Sequence, residues 1–443
     1  MSDKFAGLSP EQLDAHWMAF TGNRQFKKDP RMIVSAEGRY YTDAEGRKIF
    51  DGLSGLWTCG AGHSHPAINE AVANQVKELD YSPAFQFGHP KAFQLANKVV
   101  ELMPEGLNRV FFTGSGSESV ETALKIARGY WRKKGHPEKT RFIGRAKGYH
   151  GVNWGGISVG GIAPNRALYG QGIEAAHLPH TMLPENAFSK GMPNEGEHLA
   201  NELEAMVATY DASTIAAVIV EPVAGSAGVI PPPKGYLKRL REICTKHNIL
   251  LIFDEVITAF GRMGSNTGAE EFGVTPDIMT TAKQLTNGVI PMGAVISKQE
   301  IYDTFMEQGG PEYLLELPHG YTYSAHPVAC AAGLASLDIL EKEQLPQRVK
   351  SLAPQFEEML HGLKGTKHIA DIRNYGFAGA MTLAAKDGQP LLRPYEVAMK
   401  MWEKGFYVRY GGDTIQLGLP FTTELDEIDR LVNALGDSLN EVE

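Results

Sequence analysis

Two polar side chains, Lys283 and Asp254, stand in stretches of sequence that are otherwise apolar or rich in glycine. Lys283 lies in DIMTTAKQLTNGVIPMGAV, and Asp254 ends the apolar run ILLIFDEV, 29 positions earlier (283 − 254). A lysine and an aspartate in buried segments are costly unless their charges are compensated. Pyridoxal phosphate compensates both, because a lysine forms a Schiff base with its aldehyde and an aspartate pairs with its pyridinium nitrogen. The pair therefore predicts pyridoxal-phosphate chemistry.

The position of Asp254 suits that chemistry, since open α/β sheets bind ligands at the carboxyl ends of their strands. Opposite charges about 4 Å apart interact by roughly 4 kcal/mol at an effective dielectric near 20. This is on the order of three pKa units, enough to keep a pyridinium charged at neutral pH. Burial lowers the pKa of a lysine, which favours the neutral amine that a proton carrier needs. A helix N-cap or a salt-bridged strand end is the alternative interpretation of Asp254.

A candidate phosphate site follows the strand-like run RVFFT, where GSGSES precedes a helical pattern. Orphan backbone N–H groups and the helix dipole attract anions at such a helix start. Gly116 allows close approach of a phosphate, and Ser115 and Ser117 offer hydroxyl groups. The loop is neither a GxGxxG dinucleotide motif nor a Walker loop. A tight turn with a serine N-cap is the alternative.

Two further residues could enclose an aromatic ring between them. Val256 lies two positions after Asp254, and Tyr149 follows a strand-like run in RAKGYHG. A buried tyrosine is more often part of a hydrophobic core, and the neighbouring His150 is more often a hydrogen-bonded structural residue. Both remain candidates because they fall near the same predicted sheet edge.

Composition argues against several classes of protein. The 443 residues carry a formal charge of −9 with no long Lys/Arg run, which disfavours a nucleic-acid surface. Three scattered cysteines are too few for a disulfide framework or a zinc site, so no metal is expected. The N-terminal residues lack the apolar core of a signal peptide, and no run of 18 apolar residues exists. We expect a cytoplasmic protein that binds neither membranes nor nucleic acids.

The order of predicted elements indicates an α/β fold. The short apolar runs RVFFT, RFIGRA, AAVIVEP and ILLIFDEV alternate with helical patterns, which predicts a mostly parallel sheet with helices on both faces. We expect a loop-rich N-terminal segment of a small domain (1–65), a large domain (66–328) and a C-terminal small domain (329–443). Thr423 is predicted to cap the final amphipathic helix, with Asp426 three residues later.

Three longer motifs resemble the class-III, fold-type-I aminotransferases: LIFDEVITAFGRMG, TTAKQLTNGVIPMGAV and HGYTYSAHPVACAAGL. The resemblance runs from about residue 15 to the C-terminus. It implies a large domain with a mostly parallel seven-stranded sheet flanked by helices, plus a smaller α+β domain. DGLSGLWTCGAGH, LDYSPAFQFGHP and YVRYGGDTIQLG are similar to the subgroup that uses omega-amino acids and pyruvate.

The resemblance assigns a role to each candidate residue. Lys283 would form the Schiff base, Asp254 would pair with the pyridinium, and Glu221 would support Asp254. Thr322 would reach the phosphate from a neighbouring subunit, which implies a homodimer whose dimers can pair into tetramers. The remaining cofactor contacts would be Ser115, Gly116, Ser117, Tyr149, His150 and Val256. Arg409 would bind the substrate carboxylate, and the pocket would be shaped by Leu53, Trp57, Phe85, Phe87 and Tyr149.

The implied activity is a ping-pong transamination. An omega-amino acid, with β-alanine as the expected donor, would leave as malonate semialdehyde, and pyruvate would leave as L-alanine. A transaminase of GABA or ornithine type that uses 2-oxoglutarate, a decarboxylase and an aminomutase keep the same lysine and aspartate and remain alternatives. A non-catalytic ligand-binding protein is a further one. A nicotinamide oxidoreductase is disfavoured because GxGxxG is missing.

Overall fold

A seven-stranded sheet carries most of the polar residues singled out above. The computed structural model describes residues 4–443. The strand order in this sheet is β4-β10-β9-β8-β7-β5-β6, and β10 alone runs antiparallel to its neighbours. The described strands are β1 (Ile33–Glu37), β2 (Tyr40–Asp43), β3 (Lys48–Asp51), β4 (Leu107–Thr113), β5 (Arg141–Arg145), β6 (Ala175–Leu178), β7 (Ile215–Val220), β8 (Leu250–Asp254), β9 (Ile278–Thr281), β10 (Gly293–Lys298), β11 (Ile369–Tyr375), β12 (Ala378–Leu383), β13 (Phe406–Tyr407), β14 (Arg409–Gly411) and β15 (Thr414–Gly418).

Helices cover both faces of this sheet and connect its parallel strands. The described α-helices are α1 (Asn23–Lys28), α2 (Ser54–Trp57), α3 (Pro66–Glu78), α4 (Pro90–Glu101), α5 (Gly116–Lys133), α6 (Trp154–Val159), α7 (Ala163–Ala167), α8 (Glu202–Tyr210), α9 (Tyr236–Lys246), α10 (Gly268–Phe272), α11 (Gln299–Glu307), α12 (Pro327–Lys342), α13 (Leu345–His361), α14 (Leu392–Glu403) and α15 (Leu425–Glu441). Short 3-10 helices span Pro10–Leu13, Pro184–Asn186, Glu197–Asn201, Ala212–Thr214 and Lys283–Thr286.

The four predicted strands are confirmed as β4, β5, β7 and β8. Every residue of β7 and β8 is buried, as expected for central parallel strands whose two faces are both covered. Helix α5, which follows GSGSES where a helical pattern was predicted, buries its apolar face against this sheet. The α/β architecture with a seven-stranded, mostly parallel sheet is therefore confirmed.

Two smaller sheets lie outside the central one. One has the order β1-β2-β3-β13 and the other the order β11-β12-β15-β14. Because β13 pairs in parallel with β3, the first and last stretches of the chain share a sheet. The domain boundaries after residues 65 and 328 stay predictions.

One predicted helix cap is wrong. Helix α15 begins at Leu425, and its N-cap is Glu424, which forms a capping box with Glu427. The Thr423 hydroxyl instead donates to the Pro420 carbonyl at 2.7 Å, because the preceding turn folds back on itself. Within residues 4–443, no helix is both long and apolar enough to cross a bilayer.

Candidate active site

A cleft opens at the carboxyl ends of the central strands. Its volume is about 290 Å³, near the lower limit of typical small-molecule sites. Its walls come from residues that follow β4, β5, β7, β8 and β9 in the sequence, so one sheet edge collects side chains from across the chain. The predicted residues that line it are Ser115, Gly116, Ser117, Tyr149, His150, Glu221, Asp254, Val256 and Lys283.

Asp254 is 4% exposed and sits at the end of β8. Its carboxylate accepts hydrogen bonds from the Val256 N–H at 3.1 Å and the Thr280 hydroxyl at 3.2 Å. Its other oxygen lies 2.8 Å from Nδ1 of His150. The His150 Nε2 atom is buried and has no hydrogen-bond partner in the described part of the chain. The imidazole therefore orients Asp254 through Nδ1, while its Nε2 atom forms no hydrogen bond.

Glu221 extends this network on the neighbouring strand β7. Its carboxylate accepts a hydrogen bond from the Tyr149 N–H at 2.9 Å, and its carbonyl accepts one from Arg145 at 3.0 Å. Burial raises the pKa of Glu221 to about 7, and the charge of Asp254 adds to the rise while His150 opposes it. Burial also raises the pKa of Tyr149. The cleft thus holds one carboxylate on Asp254 and a second, on Glu221, that titrates near neutrality.

Lys283 begins the short 3-10 helix after β9 and has a left-handed φ of 44°. Non-glycine residues rarely adopt this conformation, which costs on the order of 1–3 kcal/mol and clusters at functional sites. The amine donates one hydrogen bond, to the Leu56 carbonyl at 3.1 Å. Burial lowers the pKa of Lys283 to about 8, helped by the positive charge of Arg409 and opposed by Asp254. A large fraction of this amine is neutral at mildly alkaline pH.

The loop between β4 and α5 forms an open helix start. Ser115 is the N-cap, and its hydroxyl accepts from the Glu118 N–H at 3.2 Å. Across residues 4–443, nothing accepts from the N–H groups of Gly116 and Ser117. A Cβ atom on Gly116 would lie 2.9 Å from a methyl group of Val256, so only glycine fits there. The serine N-cap of the alternative interpretation is therefore present, and two N–H groups remain to bind an anion.

Arg409 lies on β14, outside the residues that line the cleft itself. Its charge nevertheless acts on the pKa values of both Lys283 and Tyr149, which places it beside the cleft. Its Nε atom is buried without a partner, and no carboxylate of residues 4–443 forms an ion pair with it. This guanidinium is free to bind an anion.

Besides Arg409, five predicted site residues lie away from the cleft walls of a single chain. Leu53 and Trp57 are buried behind it, with exposures of 0% and 2%. Phe85 and Phe87 are 54% and 70% exposed. Thr322 is also exposed, and its carbonyl accepts a hydrogen bond from the Tyr81 hydroxyl at 3.0 Å.

The sequence reasoning missed several residues that contact the site. The Leu56 carbonyl holds the lysine amine, and Arg145 holds the backbone of Glu221. Backbone carbonyls leave no signal in the sequence. The cleft is completed by Thr58, Gly151, Ser226, Ile257, Thr286, Gly288 and Met292. Of these, Thr286, Gly288 and Met292 lie in the motif around Lys283 and were open to prediction.

This fold and cleft define a family. The model of the family described as aminotransferase class-III matches residues 21–439. The chain therefore belongs to the class-III aminotransferases.

Two relatives and one solved structure are similar to this chain over nearly its full length. The chain is 62% identical over 429 residues to the beta-alanine–pyruvate aminotransferase of Pseudomonas aeruginosa, which covers 97% of this chain and 96% of that protein. It is 60% identical to the omega-amino acid–pyruvate aminotransferase of Pseudomonas putida, again over 97% and 96% of the two chains. Among solved structures, an amine transaminase from an uncultivated Pseudomonas species in its PLP-bound form has a TM-score of 0.89 at 37% identity. That match covers 96% of this chain and 98% of the other.

Proposed function

We propose that this aminotransferase binds pyridoxal phosphate and moves an amino group from an omega-amino acid, with β-alanine as the preferred donor, to pyruvate. The names of the relatives at 62% and 60% identity support this substrate pair. The observation that carries the proposal is the arrangement of Lys283, Asp254 and an unpaired Arg409 around one cleft.

The residues present fit pyridoxal phosphate. The two free N–H groups at Gly116 and Ser117 suit its phosphate, and the Asp254 carboxylate suits a protonated ring nitrogen. Tyr149 and Val256 would hold the two faces of the ring, with the Ser117 hydroxyl and His150 nearby. When bound, the group supplies an aldehyde carbon for amine exchange and a ring that accepts electrons.

Lys283 would move the proton that transamination requires. Its amine is held by a single hydrogen bond to Leu56, so it can turn within the cleft. A pKa of about 8 keeps part of the population neutral and able to accept a proton, while the protonated form remains accessible for donation. Glu221 and Asp254 keep negative charge opposite Lys283 and limit how far burial lowers its pKa.

Arg409 would fix the substrate carboxylate. A guanidinium binds a carboxylate through two parallel hydrogen bonds, which sets both distance and orientation. β-Alanine and pyruvate each carry one carboxylate, so a single open arginine serves both halves of a ping-pong cycle. An acceptor with two carboxylates, such as 2-oxoglutarate, would leave its second charge without this partner.

We also infer that a second copy of the chain completes the site. Phe85 and Phe87 support this inference because they are aromatic and exposed. Thr322 supports it because it is exposed and the family resemblance places it at the phosphate site of a neighbouring subunit. Sedimentation equilibrium should give at least a dimer mass, and a monomer at assay concentration would contradict the inference.

Exchanging the amino donor tests the role of Arg409. The Arg409→Met protein should lose about 10- to 100-fold in kcat/KM for β-alanine, because a hydrogen-bonded charge contributes about 1.5–3 kcal/mol. With propylamine, which lacks the carboxylate, the change should stay within about threefold. Arg430→Met, on the exposed side of α15, is the matched control. Equal losses with both donors would contradict the assignment, and no alanine from β-alanine and pyruvate in the unmodified protein would refute the function.

A further inference from the structure

Arg262 is a buried arginine with no role in the proposed reaction as described above. It follows β8 in the turn FGRMG and is 1% exposed. No carboxylate of residues 4–443 lies within ion-pair distance of it, and its Nε atom has no hydrogen-bond partner there. Burying a guanidinium without an ionic partner costs several kcal/mol in general. Burial lowers the pKa of Arg262 to about 9, opposed by the charge of Asp51, so the guanidinium carries a positive charge behind the cleft at neutral pH.

The guanidinium joins two segments that are distant in sequence. It donates to the Leu419 carbonyl and to the Ser54 hydroxyl, the second at 3.2 Å. The Ser54 hydroxyl in turn donates to the Gly418 carbonyl at 2.5 Å. The guanidinium carbon also lies 4.7 Å from the ring centre of Phe421 and 5.7 Å from that of Trp57. Arg262 therefore ties the turn at 54–57 to the end of β15.

The turn that it holds is strained. Ser54 and Trp57 have left-handed φ angles of 50° and 66°, and each such residue costs on the order of 1–3 kcal/mol. Trp57 packs against Gly418 on one side, where a Cβ atom would lie 2.4 Å from a ring carbon. Arg262 also lies over the Trp57 ring, 5.7 Å from its centre. The ring has little room to move while both neighbours are in place.

This strained turn presents the Leu56 carbonyl to the amine of Lys283 at 3.1 Å. Arg262 and Lys283 are thus linked through one short segment. We propose that Arg262 is a positioning residue for transamination, which holds the turn at 54–57 so that its Leu56 carbonyl orients the Lys283 amine while Trp57 stays packed behind the cleft. This role of Arg262 rests on the proposed function, because only in transamination does Lys283 carry a proton.

Arg262 also acts on Lys283 through space. Its positive charge is among the causes that lower the pKa of the lysine, after burial and Arg409. A positive neighbour disfavours the protonated amine. Removal of that charge therefore raises the pKa of Lys283, and water that enters a loosened turn raises it further. Because a loosened turn alone would also admit water, only a variant that keeps the charge separates the effect of the charge on this pKa from the effect of packing.

The test compares two buried arginines in the full-length holoenzyme. Arg262→Met should lower kcat for the preferred substrate pair on the order of 10- to 100-fold, because small misplacements of reacting groups have effects of this size. The acid limb of its kcat–pH profile should move to higher pH. Arg393→Met is the matched control, since Arg393 is 7% exposed and donates to the carbonyls of Ala384 and Glu443, away from the cleft. It should lose stability while its kcat and pH profile stay unchanged.

A second readout does not depend on turnover. Competitive acetylation of the Lys283 amine, followed by mass spectrometry across pH in the full chain freed of cofactor, reports the pKa directly. We expect a higher value in Arg262→Met and an unchanged one in Arg393→Met. Arg262→Lys keeps the positive charge but loses the planar guanidinium that bonds two groups at once. The pKa of Lys283 should therefore stay near its value in the unmodified protein, while kcat remains low. Equal pKa values in all four proteins, or equal kcat losses in both methionine variants, would overturn the proposal. An unmodified protein without transaminase activity would instead overturn the function.

Discussion

Lys139 and Lys283 both have a pKa that burial lowers, but the surroundings of their amines differ. Lys139 is 4% exposed and donates to the carbonyls of Ala212, Ile215 and Asn248 at 2.9, 3.1 and 2.9 Å. Its amine also lies 4.4 Å from the ring centre of Trp131. Lys283 donates one hydrogen bond and faces a cleft with two carboxylates.

The two amines differ in how many of their hydrogen-bond donors remain free. An ammonium group has three donors, and at Lys139 all three are used by backbone carbonyls. Such an amine cannot exchange partners without leaving buried acceptors unsatisfied. At Lys283 two donor positions are open toward the cleft. A lowered pKa therefore marks a functional lysine only where hydrogen-bonding capacity is left over.

Replacing Lys283 should produce the largest effect on activity. The Lys283→Ala protein should lose kcat by about 10⁴-fold, since it removes both the covalent anchor and the proton carrier. Its thermal midpoint should stay close to that of the unmodified protein, because the amine makes one hydrogen bond. Borohydride reduction and peptide mapping should find cofactor bound at position 283 in the unmodified protein only. Retained turnover would end the comparison of the two lysines.

Replacing Lys139 should reverse that pattern. Lys139→Ala leaves three buried carbonyls without a donor, so it should lower the free energy of unfolding by about 2–4 kcal/mol. Its kcat at 25 °C should remain within about twofold, because Lys139 lies outside the cleft walls. Urea denaturation and steady-state kinetics measure the two quantities. A loss of kcat with unchanged stability would contradict this. It would show that a full set of hydrogen bonds on the amine does not separate structural lysines from functional ones.

The smallest expected effect is the pH dependence of stability. The pKa of Lys283 is about 8 in the folded protein and 10.5 as a free side chain. Between those values the unfolded chain binds more protons than the folded one, so stability rises with pH across this window. Lys283→Met should flatten that rise in urea titrations of cofactor-free protein at pH 8, 9 and 10. Parallel curves for the two proteins would contradict the lowered pKa.

The central strands were predictable because each is a short apolar run that ends at a glycine or a helical pattern. The helical pattern after GSGSES also located α5, whose N-cap is Ser115. The cap of α15 was missed because Glu424 and Glu427 form a capping box, whereas threonine is the commoner residue at such a position. Side-chain preference alone could not tell which of two adjacent polar residues begins the helix.

The site was only partly open to prediction. Lys283 and Asp254 stand out because charge is rare in apolar segments. The contact between His150 and Asp254 joins β8 to the loop after β5, and nothing in either segment specifies a 2.8 Å hydrogen bond. The role of Arg262 was invisible for the same reason, since its partners include a carbonyl and a serine hydroxyl from two segments far from it in sequence.

The amino-acid sequence by itself determined which residue types are available for chemistry and in what order they follow the strands. That was sufficient for the fold class, the family and the cofactor, because local patterns carry those signals. Only the tertiary structure decided which charges are compensated. Lys139, in the polar stretch HPEKTR, resembles a surface lysine, yet carbonyls from two distant segments enclose it. Compensation of a buried charge depends on distances between atoms that the chain brings together only on folding.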